Sequence, residues 1–354
     1  MVTDFTLSRK TTSVLKGIAI CAMLFHHLYY IPPEGVERYS GLLLWLGDLG
    51  KVCVSIFLFC SGYGLTSQFS IQEDRSAKGN LRFVIRRFLK FYTNYWVVLF
   101  IFVPISIFVF GRTFEVAYAG LNIPKRIVYE LFAINGYSSY NITWWFNKVI
   151  VILYLLFPFL FWIMDKTGWA FLPVSLVLFL FCNRIPDYNT EIFFWQFPFV
   201  LGMIWSVWAY RSPKTAEFLF KHNVSSLVLS LVLLAVLILF RQKPIIPGFT
   251  WVQIDPFIAC VIVLMMALTN KEESCLASGF AFLGKHSMNI YMIHTFFAGY
   301  WHPEWLHIAP WMRCGVNFVV LLSICLLISI LLEWMKEKSG LYSVMNRVSE
   351  RIMS

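Results

Sequence analysis

The first apolar stretch, Leu15–Leu28, carries Lys16 near one end and the pair His26–His27 near the other. On a helix, the eleven steps from Lys16 to His27 return to nearly the same face, roughly 16 Å along the axis. Lys16 and His27 can therefore line one cavity, with His26 turned about 80–100° away. Ionisable groups within apolar spans are costly and mark function by default. An imidazole that titrates near neutrality is a natural general base for a hydroxyl nucleophile. The alternative for His27 is a polar residue near the outer interface, hydrogen-bonded to a neighbouring helix.

A second group, Arg82, Arg86 and Lys90, falls at i, i+4 and i+8, and Arg87 pairs with Lys90 at i, i+3. Such a cluster at the inner mouth of a span either sets topology and binds lipid phosphates, or it seats a phosphorylated cytoplasmic ligand. A third candidate, His294, follows Gly284-Lys285-His286-Ser287 in an otherwise apolar run. It is either a packed, satisfied histidine or a second acid–base group. His302 and His307, in the Trp-rich stretch 300–311, read as interfacial. The 8 cysteines show no CxxC or Cys/His spacing, so they read as small hydrophobes and no metal is expected.

These residues need elements that hold them in lipid. Of 354 residues, 59% are hydrophobic and 14% charged, and the mean hydropathy is +0.69. Soluble domains have roughly 45–50% apolar and about 25% charged residues. This composition excludes a disordered chain, a disulfide-stapled miniprotein and a nucleic-acid binder. Ten segments are apolar enough to span about 30 Å of hydrocarbon, near 14–31, 51–68, 92–110, 145–163, 169–183, 192–209, 224–240, 253–269, 285–301 and 314–333. The expected fold is an all-α integral membrane protein, a single bundle of about ten transmembrane helices, one domain over 1–354. Its helical core covers about 10–334, and 336–354 forms an amphipathic cytoplasmic tail. The first span reads as a retained signal-anchor.

With both termini cytoplasmic, 19 of the 29 Lys and Arg residues fall on the inner side and 10 on the outer. The positive-inside rule therefore favours this orientation. Six of the 19 lie in 71–90, so the net charge of +10 is mostly topology plus one basic patch. The longest polar stretch between spans, 111–143, contains Pro124–Phe132, which suits a short interfacial helix.

Several of these segments together resemble the acyltransferase-3 family of integral membrane acyltransferases. The family's basic residue, ten intervening residues and histidine map to Lys16 and His27. Gly50–Tyr63 is similar to its second-span segment, which ends in Ser-Gly-Tyr/Phe. Its Arg-x-x-Arg pair maps to Arg87 and Lys90. Tyr154–Pro158 matches a later Tyr-Leu-Leu-x-Pro segment, and Gly284–His294 is similar to its Gly-x-x-Ser…Tyr-Leu-x-His. Lysine stands at 16 and 90 where the family has arginine, which keeps the charge and loses the bidentate fork. The resemblance spans about 10–334.

It implies a multi-pass plasma-membrane enzyme. The enzyme would move an acyl group, usually acetyl, from cytoplasmic acyl-CoA to a hydroxyl of a cell-surface or lipid-linked glycan. Acetyl-CoA would be the co-substrate, held at Arg82, Arg86, Arg87 and Lys90. His27 would be the base, with Lys16 orienting CoA and His294 as a second acid–base candidate. No fused esterase-like domain is evident, so a partner that completes the transfer would be a separate extracytoplasmic transferase. The competing class is a transporter or glycan flippase, in which intramembrane His and Lys serve proton coupling. Such proteins show paired repeats with interrupted helices, and no such symmetry is visible here.

Overall fold

The computed structural model describes residues 6–31, 40–181, 191–211, 218–219, 221–242, 251–269, 274–300 and 310–353. The tryptophan-rich stretch with His302 and His307 lies outside them. Among the described residues every regular element is helical. In lipid a helix satisfies its own backbone donors and acceptors, which an isolated strand cannot do.

The helices are α1 (Arg9–Tyr29), α2 (Gly41–Leu49), α3 (Cys53–Ser70), α4 (Ala77–Phe110), α5 (Phe114–Ala117), α6 (Ile123–Leu131), α7 (Trp145–Thr167) and α8 (Phe171–Phe181). They continue with α9 (Glu191–Arg211), α10 (Asn223–Gln242), α11 (Asp255–Thr269), α12 (Cys275–Thr295), α13 (Pro310–Lys338) and α14 (Leu341–Met353). Among the described residues, 8 helical runs are long and apolar enough to cross a bilayer. The sequence suggested ten. Two of those ten fall in the single run Ile142–Phe181, where only a 3-10 turn at Gly168–Ala170 separates α7 from α8. A further one, α12, is a full 21-residue helix, but Lys285, His286, Ser287, Asn289 and His294 lower its apolarity. α4 has 34 residues, about 51 Å at 1.5 Å each, well beyond the hydrocarbon thickness. Its basic residues occupy the first half and its apolar run the second.

The chain divides into two compact units. The first holds residues 1–23, 49–72 and 159–285, and the second holds 24–48, 73–158 and 286–354. Within the first unit, α3 and α9 touch backbone to backbone. A Cβ on Gly62 would lie 2.0 Å from the Phe199 carbonyl oxygen, and one on Gly202 would lie 2.1 Å from that of Phe59. Gly17 and Gly284 make a second crossing of this kind. A Cβ there would lie 1.9 Å from the Phe280 oxygen and 1.8 Å from the Ser13 oxygen, respectively. Without a hydrophobic force between helices in lipid, close packing of small residues and polar bonds must hold them together. The polar bonds include Ser67–Ser206 at 3.0 Å and the buried pair Arg241 Nε–Asp255 Oδ1 at 2.6 Å. α10 presents Val224, Val228, Leu229, Val232 and Leu239 outward, a face that suits lipid and not water.

In the second unit, α4 seats α6 by its polar aromatics. Tyr95 Oη donates to the Glu130 carbonyl (2.7 Å), Trp96 Nε1 to that of Leu131 (2.8 Å) and Tyr92 Oη to that of Phe132 (2.9 Å). These carbonyls lie at the end of α6, where a helix runs short of its own backbone donors; that of Glu130 also accepts the Ala133 N–H. The α6 start is capped by the Asn122 side chain, which accepts from Lys125 N. The short helix expected at 124–132 is therefore present, and its end is clamped to α4.

The α3–α9 contact yields a direct test. Gly202→Val should lower the thermal midpoint of the detergent-solubilised protein by several degrees, since overpacking costs about 1–3 kcal/mol. Gly64→Ala, where a Cβ meets nothing within 4 Å, should leave it nearly unchanged. Intrinsic tryptophan fluorescence during heating reads both.

Candidate functional site

His27 lies on the last turn of α1, half-buried, with its ring centroid 4.8 Å from that of His294. The two histidines singled out in separate apolar runs are thus neighbours. His26 stands on the other side of His27 at 5.2 Å, edge-on, and stacks on Tyr30 at 5.1 Å. The His26 Nδ1 is 2.7 Å from the Gly47 carbonyl oxygen. A carbonyl only accepts, so Nδ1 carries the hydrogen and the tautomer is set. Gly47 can come this close because its missing side chain leaves room for Tyr29 and Tyr30. A Cβ there would sit 3.1 Å from Tyr29 Cβ and 3.0 Å from Tyr30 N.

His294 is fully buried one residue from the end of α12, just before the wider turn Phe296–Tyr300. π-turns of this kind recur at functional sites. Its Nδ1 is 2.7 Å from the Tyr291 carbonyl oxygen, and its Nε2 is 3.2 Å from Thr295 Oγ1. Thr295 Oγ1 is 3.0 Å from Thr143 Oγ1, which is 2.8 Å from Asn141 Oδ1. The stretch 141–144 is fastened to the end of α12 by two more bonds. Trp144 Nε1 donates to the Met292 carbonyl (3.0 Å), and Tyr291 Oη donates to that of Thr143 (2.8 Å).

The wall holding this stretch is built on Glu130. Its carboxylate is buried and accepts from Tyr95 Oη (3.0 Å), Tyr118 Oη (2.9 Å), Asn135 Nδ2 (2.6 Å) and the Tyr140 backbone N–H (2.8 Å). Burial pushes the Glu130 carboxyl above its usual range, while these four donors pull against that shift. Tyr118 is pushed up as well, by burial first and then by the Glu130 charge beside it. Arg112, at the end of α4, lies 4.0 Å over the Tyr300 ring and donates to the Tyr140 carbonyl.

The basic residues expected on one helix are on α4. Arg86 and Lys90 are exposed, and Arg82 and Arg87 are half-buried. Arg82 reaches Asp74 at 4.0 Å, and the Arg87 guanidinium lies 5.3 Å over the Phe83 ring. Phe83 in turn packs on Phe157 at 5.7 Å, which fixes the platform under Arg87. Lys16 is half-buried on α1 and belongs to the first unit, whereas the other six candidates belong to the second.

A family model described as an acyltransferase domain, acyltransferase-3, matches residues 13–335. The chain belongs to the acyltransferase-3 family. It is therefore a membrane acyltransferase, and the match begins within α1 and ends within α13. Neither the curated proteins nor the solved structures contain a match.

Sequence reasoning missed several residues of this acyltransferase. Glu130 looked like any charge on an interfacial helix, and Thr143 and Thr295 like ordinary polar residues. Lys336 was expected on the amphipathic tail, yet it is buried at the end of α13. Its Nζ donates to Asn94 Oδ1 (2.6 Å), Asn289 Oδ1 (3.3 Å) and Glu333. Glu333 also accepts from Tyr342 Oη of α14 at 2.6 Å. Lysine at an apolar helix end ordinarily snorkels outward; here three acceptors hold it inside.

Glu130→Gln should lower the thermal midpoint, because an amide offers one acceptor oxygen where the carboxylate offers two, and Asn135 Nδ2 and the Tyr140 N–H can only donate. Each buried donor left unmatched costs about 1–3 kcal/mol. The pH dependence has a definite sign. A carboxyl whose folded pKa is raised contributes most stability below its ordinary 4.5 and loses it as pH rises through the folded value. The advantage of wild type over Glu130→Gln should therefore be largest in acid and shrink above about pH 4.5. Melting both proteins across that range checks it.

Proposed function

We propose that this enzyme transfers an acyl group, acetyl by preference, from cytoplasmic acyl-CoA to a hydroxyl of a cell-surface carbohydrate, with His27 as general base. The observation that carries the reading is the pairing of His27 with His294 at 4.8 Å, in a chain whose family performs acyl transfer. His27 takes the proton of the acceptor hydroxyl as that oxygen attacks the thioester carbonyl. The carbon–sulfur bond then breaks, and the departing thiolate takes the proton from His27. The products are the ester and free CoA.

The residues of α4 fit an anionic donor. Arg86 and Lys90 are exposed, and the Arg87 guanidinium lies over an aromatic ring. Guanidinium and ammonium groups so arranged suit the phosphates of CoA. Of the classes considered at first, the transporter or flippase is disfavoured by family membership.

Labelled acetyl-CoA supplied to inside-out membrane vesicles should label envelope glycan when this protein is present. Absence of any label would sink the reading. His27→Ala should abolish labelling at unchanged protein level. Arg87→Ala should raise the KM for acetyl-CoA about tenfold, the effect of losing about 1.4 kcal/mol, without changing acceptor preference. An unchanged KM would remove the phosphate-seat assignment.

A further inference from the structure

Three contacts in a row, Asn141–Thr143–Thr295–His294, must be counted hydrogen by hydrogen. Asn141 Oδ1 faces the Thr143 backbone N–H at 3.1 Å. An N–H only donates, so this atom is the amide oxygen and not the nitrogen. The Thr143 hydroxyl, 2.8 Å from the same oxygen, must donate to it. Its single hydrogen is then used. The 3.0 Å contact between Thr143 and Thr295 consequently needs the Thr295 hydrogen. The 3.2 Å contact between Thr295 and His294 Nε2 then needs a hydrogen from the ring. His294 Nδ1 already gives one to the Tyr291 carbonyl. A neutral imidazole has one N–H, so the row is one hydrogen short whenever His294 is neutral. A proton on Nε2 completes it.

All four side chains are buried, so bulk water does not supply the missing hydrogen. Charge inside a protein is costly unless it is both paired with an opposite charge and hydrogen-bonded, so the ring rests neutral with Thr295 turned toward Nε2. We propose that Thr143, Thr295 and Asn141 are positioning residues that make His294 the proton-receiving partner of His27. This rests on His27 being the base. After His27 takes the acceptor's proton, the proton moves to His294 Nε2 while Thr295 turns its hydrogen to Thr143. The proton returns by the same path to His27 and leaves on the CoA thiolate. The titratable groups facing His294 are His27 from α1 and Tyr291 from its own helix. The stretch 141–144 meets the row through Thr143, backed by Asn141.

Thr143→Val removes the shortage, because Thr295 can then serve Nε2 alone. It should lower kcat at least tenfold with the KM for acetyl-CoA unchanged. Thr143→Ser, which keeps the hydroxyl, should restore wild-type kcat. A curved proton inventory in mixed light and heavy water should become linear in the valine variant. Wild-type kcat in Thr143→Val, or a serine variant as impaired as valine, would overturn the proposal. A second measurement needs no turnover. In the full-length protein labelled with 15N-histidine, His294 should take up its second proton at a higher pH in wild type than in Thr143→Val. Equal titration of the two overturns the relay even if acyl transfer is intact. A clear difference supports it even if the acceptor proves not to be a carbohydrate.

Discussion

The second unit depends on one buried carboxylate. Glu130 gathers a side chain of α4, two residues that follow α6 and a tyrosine that precedes it, all as donors to two oxygens. Remove that acceptor and Tyr118 Oη and the Tyr140 N–H lose the oxygen they donate to, while Tyr95 and Asn135 keep only the backbone carbonyls of Glu130 and Arg126. With it, the stretch after α4 turns back, lays α6 against Tyr92, Tyr95 and Trp96, and brings Thr143 and Trp144 to the end of α12. His294 is therefore held by bonds that begin at Glu130.

The same rule governs the rest of the molecule. In a chain this apolar, burial of hydrocarbon does not choose one helix contact over another, because lipid is as apolar as leucine. Specific contacts come from two sources. Glycines at 62, 202, 17 and 284 let backbones meet where any side chain would hold them apart. Paired polar groups such as Arg241–Asp255 and Lys336–Asn94–Asn289–Glu333 supply bonds whose loss leaves a charge unmatched inside the protein. The basic turns of α4 follow the opposite logic, with Arg86 and Lys90 left exposed. Charge in this protein is thus left exposed on α4 and hidden elsewhere where it is satisfied.

Much of this was legible from residue order. Helical periodicity and apolar run length gave the helices and put Lys16 with His27 on one face of α1, and Arg82, Arg86 and Lys90 on one face of α4. Those are properties of a single helix, set by about 100° per residue. The motifs pointed to the acyltransferase-3 family, and the match over 13–335 agrees. What residue order could not supply was any pairing across distance. His27 and His294 are 267 positions apart, and nothing in either run states that their rings meet. Thr143 and Thr295 carry no local signature, since a hydroxyl acquires a role only from the atom opposite it. Glu130 and Lys336 looked like surface charges because sequence records charge and not depth. Local geometry is written in the chain one turn at a time, whereas donor–acceptor pairs between helices exist only once the helices have packed.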